Sequence, residues 1–180
     1  MGKVLFFLLL LFLPLLLCSK KPIIDFYQEK ITIEIDSASA LVRGEYFFAN
    51  NTNTRKIVRF FYPFPVDSIH SFPDIIILNQ PYERDTNGIH FSMLLEPGRN
   101  NSFKISYRQY LKKRYFCYIT TTTRKWQKPI KYAEFIVFAK KNQRLHLSYP
   151  PTAIFSRGEY DCYKIVKREF YPAEDLVIQW

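Results

Sequence analysis

The chain has 180 residues and a formal charge of +10, with 48% hydrophobic and 18% aromatic residues, among them thirteen Tyr and seventeen Phe. That content excludes a disordered chain, favours strands over helices, and suffices for one domain with a buried core. The charge is unevenly held: residues 22 to 100 carry 7 Lys and Arg against 10 Asp and Glu, net −3, whereas residues 101 to 180 carry 16 against 6, net +10.

The chain opens with Met1-Gly2-Lys3, the apolar run Val4 to Leu17, and Cys18-Ser19-Lys20-Lys21. One lysine followed by about fourteen apolar residues has the build of a secretory signal, because the run suits an h-region and falls short of the ~20 residues a spanning helix needs. The protein is therefore expected to be exported, to a periplasmic, outer-membrane-anchored or secreted location, with residues 1–18 as signal and 22–180 as the mature domain. Leu15-Leu16-Leu17-Cys18 resembles a bacterial lipoprotein signal, departing from it at Leu17, where such signals carry a small residue. The resemblance implies a lipid on Cys18 and membrane association through it. Cleavage after Cys18 or Ser19 with release, and retention of the segment as a short anchor, are the other two outcomes.

Past residue 22 the pattern is one of short strands between turn signals. Lys30 to Asp36 alternates, with Ile31, Ile33 and Ile35 on one face and Thr32 and Glu34 on the other, as a half-buried strand requires. Leu41 to Ala49 follows, then the polar turn 50–54 and a third strand, Arg55 to Tyr62, with Val58, Phe60 and Tyr62 on one face. It stops at Pro63-Phe64-Pro65, since proline donates no ladder hydrogen bond. Asp74 to Leu78 is a continuous apolar run, and Asp85-Thr86-Asn87-Gly88 is a turn leading into Ile89 to Leu95. After the turn 96–100, Asn101 to Leu111 alternates again. Tyr115 to Thr123, Tyr132 to Ala139, Leu145 to Tyr149, Tyr160 to Val166 and Leu176 to Trp180 bring the count to about ten strands, and no stretch keeps a helical stripe.

Many closely spaced strands without a linker predict an all-β fold, a single antiparallel β-sandwich of immunoglobulin-like type. The alternative is a small outer-membrane β-barrel, closed by a last strand that alternates Leu176, Ile178 and Trp180; the eleven prolines and the broken alternation count against it.

Two places resemble uncharacterised secreted bacterial β-sandwich proteins. Gly44-Glu45-Tyr46-Phe47-Phe48-Ala49-Asn50 followed by Arg59-Phe60-Phe61-Tyr62-Pro63-Phe64-Pro65 looks like their opening hairpin, which ends at a proline-aromatic-proline corner. Tyr118-Ile119-Thr120-Thr121-Thr122, then Trp126, Pro129-Ile130 and Ala133-Glu134-Phe135, is similar to a later stretch. The resemblance implies a fold and brings no activity with it.

Motifs of chemistry are missing. His70, His90 and His146 are isolated, no metal-ligand spacing occurs, and no serine sits in a glycine-flanked elbow. No catalytic residue, metal or cofactor is therefore assigned, and the chain reads as a non-catalytic binding or structural module. An envelope hydrolase acting on glycan, with carboxylates converging from distant strands, is the enzymatic alternative.

Cys117 and Cys162 form the disulfide candidate, because export places them in an oxidising compartment; two separate buried thiols are the other reading. The ligand-binding candidate is Arg124, Lys125, Trp126, Lys128 and Lys131, where an indole lies among cations. Exposed, it would stack on a sugar or headgroup while the cations met phosphate or carboxylate; folded back, it would plug the sandwich edge. Export makes the counter-charge of the basic half an anionic envelope component, a lipid headgroup or cell-wall polymer, or another envelope protein, and not nucleic acid.

Overall fold

The computed structural model describes residues 22–180, so residues 1–18 and the lipidation candidate Cys18 lie outside the described residues. The alternating first half of the chain gives β1 (Ile24–Ile35), β2 (Ser39–Asn50), β3 (Lys56–Pro63), β4 (Ile75–Leu78), β5 (Tyr82–Asp85), β6 (Gly88–Leu95) and β7 (Gly98–Tyr110). The second half gives β8 (Tyr115–Tyr118), a 3-10 turn (Thr121–Trp126), β9 (Ile130–Lys140), β10 (His146–Leu147), β11 (Ala153–Arg157), β12 (Tyr160–Phe170) and β13 (Leu176–Gln179).

These strands form a seven-stranded sheet in the order β11-β12-β9-β1-β2-β7-β4 and two three-stranded sheets, β10-β13-β8 and β3-β6-β5. The fold is all-β, but it is neither purely antiparallel nor divided as an immunoglobulin domain divides. At the centre of the large sheet β1 runs parallel to β9, with Ile31 opposite Phe135 and Ile33 opposite Val137. A parallel pair needs a long crossover, supplied here by everything from β2 to β8. The strand order of the large sheet is linear, from β11 at one edge to β4 at the other, so the barrel expectation is not met.

One face of the large sheet packs on both small sheets. Phe103 of β7 meets Phe91 of β6 edge-on at 4.9 Å, and Tyr118 of β8 meets Phe135 of β9 at 6.0 Å. Strict alternation places Ile31, Ile33 and Ile35 on this face, each at most 1% exposed, beside Val42, Val137 and Ile165. Close packing of such aliphatic side chains is the main source of stability, at about 25 cal/mol per Å² of apolar surface removed from water.

Two local features bend this regular scheme toward the site. The pairing of β1 with β2 slips between Phe26 and Gln28, a bulge that leaves Tyr27 as the extra residue and returns Phe26 to the buried face. In β2, Gly44 lies under the ring of Tyr46: a Cβ there would stand 2.6 Å from the Tyr46 hydroxyl. Glycine at that position is what lets the tyrosine lie back along its own strand.

Candidate functional site

The bulge and the alternation together carry an acidic residue inward. Glu29 stands two residues before Ile31 on the same face of β1, is 1% exposed, and has Tyr46 of β2 and Ala133 of β9 as its strand neighbours. None of the described residues hydrogen-bonds to its Oε1. Burial pushes the Glu29 carboxyl up to about 8, because the charged form loses its water and gains no partner.

Above it the three sheets meet at one hydroxyl cluster. The Tyr46 hydroxyl of the large sheet lies 2.7 Å from the Tyr62 hydroxyl of β3 and 2.6 Å from the Tyr118 hydroxyl of β8. Burial holds all three phenols well above their usual range, so they remain neutral donors and acceptors.

Glu29 and these tyrosines line a cavity of about 340 Å³ whose remaining walls are mostly aromatic. Phe48 lies 5.0 Å from Phe60 and 5.6 Å from Trp126, and Phe26 lies 6.0 Å from Trp126, measured between ring centres. The last wall is the turn that carries Thr122, Thr123, Lys125 and Trp126. Strand prediction ran on to Thr123, but β8 ends at Tyr118. Asp175 turns the chain there, accepting hydrogen bonds from Thr120 N at 2.9 Å, Thr121 N at 2.9 Å and Thr121 Oγ1 at 2.8 Å. A carboxylate collecting three donors offsets the lost strand ladder.

The five-residue ligand candidate is only partly assembled. Trp126 is half-buried against Phe26, Phe48 and Phe60, so the indole is a cavity wall and not an exposed platform. Lys125 joins it in lining the cavity; Lys128 and Lys131 do not, and Arg124 sits 5.5 Å over the ring of Tyr171. Elsewhere in the basic half, Arg114, Lys140, Lys141 and Arg144 share a shallow depression with Trp180 and Asp36. Lys167 and Arg168 lie over the rings of Tyr149 and Tyr132.

The disulfide candidate is not joined: Cys117 and Cys162 are both free thiols, one in β8 and the other in β12 of the large sheet. Burial, and then the charges of Asp175 and Asp67, push the Cys117 thiol up to about 12, which suppresses the thiolate that exchange requires. Of the isolated histidines, His70 is buried with Nδ1 2.9 Å from Asp67 Oδ1, and its Nε2 accepts a hydrogen bond from Cys117 N at 3.2 Å. It pins the 64–74 segment to β8. Among the described residues no group of three or more His, Cys, Asp or Glu side chains is placed to hold a metal ion.

Solved structures share this arrangement of strands. A candidate nutrient-binding protein from Legionella pneumophila subsp. pneumophila str. Philadelphia 1 superposes with a TM-score of 0.62 at 15% identity, over 87% of this chain and 66% of that one. An M1 zinc metallopeptidase from Deinococcus radiodurans superposes with a TM-score of 0.51 at 9% identity, over 87% of this chain and 42% of that one. The likeness is one of fold alone. The chain thus spans less than two thirds of the length of either protein. No protein-family model matches the sequence, and no curated protein matches it significantly.

The missed residue is Glu29. Extending the alternation of Ile31, Ile33 and Ile35 back by one step puts a carboxyl on the apolar face, and that is the signal the sequence holds for it.

Proposed function

We propose that this chain is a non-catalytic binding module of the cell envelope that takes a small, largely apolar ligand in the Glu29 cavity. The single observation that carries the reading is a preformed aromatic cavity of about 340 Å³ with a buried, unpartnered carboxyl and a hydroxyl cluster inside it. Small-molecule sites have this form, an apolar concavity of roughly 300–1,000 Å³ with a few converging polar groups. A core selected for stability alone would fill such a space. A binding role is preferred to catalysis because, among the described residues, no second acid, base or nucleophile stands at hydrogen-bond distance from Glu29 Oε1.

We read the framework as a β-sandwich, the large sheet forming one layer and the two small sheets the other. The likeness of fold to a candidate nutrient-binding protein supports a binding role. The signal-like residues 1–18 support export, and the basic second half then faces the anionic components of the envelope.

The test is saturation-transfer NMR of the full chain with neutral aromatic compounds such as indole and phenol, repeated on Thr122→Trp, which fills the cavity from its half-exposed wall. Binding by the native chain and its loss in a variant with unchanged far-UV circular dichroism is the expected outcome. Equal binding by both proteins, or none by the native chain to these compounds or to the amine and acid probes described below, would overturn the reading.

A further inference from the structure

The charged groups of the cavity are sorted by depth. Glu29 is at the closed side, and no Lys, Arg or His among the described residues pairs with it. At the open side stand Arg59 and Lys125, both exposed. Arg59 is occupied by Glu83 at 3.2 Å, whereas Lys125 makes no ion pair among the described residues. The rings of Phe26, Phe48, Phe60 and Trp126 line the same cavity.

Each layer restricts what fits. Ionising a carboxyl that is out of water is costly without a counter-charge, so Glu29 holds its proton, and a cation from outside is the partner that lets it ionise. Aromatic faces attract such a cation through their quadrupoles, and ring boxes with an acidic floor suit ammonium groups for that reason. An anion at the floor would face Glu29 directly. A wholly neutral ligand would fill the rings but leave Glu29 protonated and Lys125 without a partner.

We infer that the cavity takes a small ammonium zwitterion, a molecule of amino-acid or betaine type, with its cationic nitrogen at Glu29 among the rings and its carboxylate at Lys125. The inference rests on the proposed reading of the cavity as a ligand site and names the ligand class.

Its consequence is a proton. The ionisable groups that line the cavity with Glu29 are Tyr46 from β2, Tyr62 from β3, Tyr107 from β7 and Tyr118 from β8, with Ala133 beside Glu29 on β9 and the exposed Arg59 and Lys125. Burial holds all four phenols well above their usual range, so between these phenols and the Glu29 carboxyl it is the carboxyl, raised to about 8, that changes charge near neutral pH. In the empty cavity at neutral pH it is the protonated acid. Binding of an ammonium group converts that acid to a carboxylate paired with the cation and releases one proton to solvent, with no bond made or broken in the ligand. Affinity therefore rises about tenfold per pH unit from pH 6 to 8 and levels off above.

The experiment is isothermal titration calorimetry of the full chain at pH 6, 7 and 8 with three probes sharing one phenyl group: L-phenylalanine, phenylethylamine and 3-phenylpropionate. Two buffers of different ionisation enthalpy count the released proton. The expected order is L-phenylalanine tightest, phenylethylamine next and 3-phenylpropionate weakest, with a proton released by the two amines. Lys125→Ala removes the advantage of the zwitterion over the amine. Glu29→Gln, checked for its fold by circular dichroism, abolishes the pH dependence and weakens the amines tenfold or more at pH 8. A pH-independent affinity for phenylethylamine, or tighter binding of 3-phenylpropionate than of the amines, would overturn the inference while leaving the cavity a ligand site. Absence of binding by all three probes and by neutral indole would remove both.

Discussion

One face of β1 passes through two environments. Ile31, Ile33 and Ile35 sit at most 1% exposed in an aliphatic layer with Val42 and Val137, where every position is filled by carbon. Two residues earlier on that face, Glu29 is equally buried, yet it lies at an aromatic cavity with an oxygen that has no hydrogen-bond partner among the described residues. The same strand, at the same depth, serves stability at one end and leaves it unclaimed at the other. A fold tolerates such an end when the filled half is stable enough to carry it, and departures of this kind mark sites of function.

The comparison is broken most strongly at Glu29. Because burial raises its folded-state value from 4.5 to about 8, the native state holds the proton more tightly than the unfolded chain. The stability this supplies is fully present below about pH 4.5 and is lost as pH rises through about 8. Glu29→Gln should therefore match the native chain near pH 4 and exceed it by on the order of 5 kcal/mol above pH 8, as read from urea unfolding across that range. A constant difference between the two proteins at all pH values would show that Glu29 is hydrated.

The filled end is probed by Ile33→Ala, which should cost about 3–4 kcal/mol through lost burial and a residual void, and should leave probe binding unchanged. Asp175→Ala should cost about 2 kcal/mol by releasing three donors at the start of the 3-10 turn. Because Trp126 rides on that turn, its fluorescence should shift to the red in the same variant. Tyr118→Phe should be mildest, about 1 kcal/mol in denaturant unfolding, since Tyr46 keeps its bond to Tyr62.

Much of the strand content was legible. The alternation from Ile31 to Ile35, the face shared by Phe60 and Tyr62, and the turn before Gly88 all appear where periodicity and turn chemistry place them. The extension of β1 back to Ile24 was not, because the bulge at Tyr27 breaks the two-residue period that announces a strand. β5 and β11 were missed as well: exposed along most or all of their length, they carry no buried stripe. Trp126 was singled out, but its burial turned on Phe26, Phe48 and Phe60, far away in sequence.

What the sequence determined by itself is an all-β chain with a basic second half, since backbone pleating imposes its period on neighbouring residues and charge needs only counting. The parallel pairing of β1 with β9, the meeting of three sheets at Tyr46, and the cavity over Glu29 were decided by tertiary structure alone. Tyr46 and Tyr118 are 72 residues apart in the chain and 2.6 Å apart in space, and no local period reports a contact of that kind.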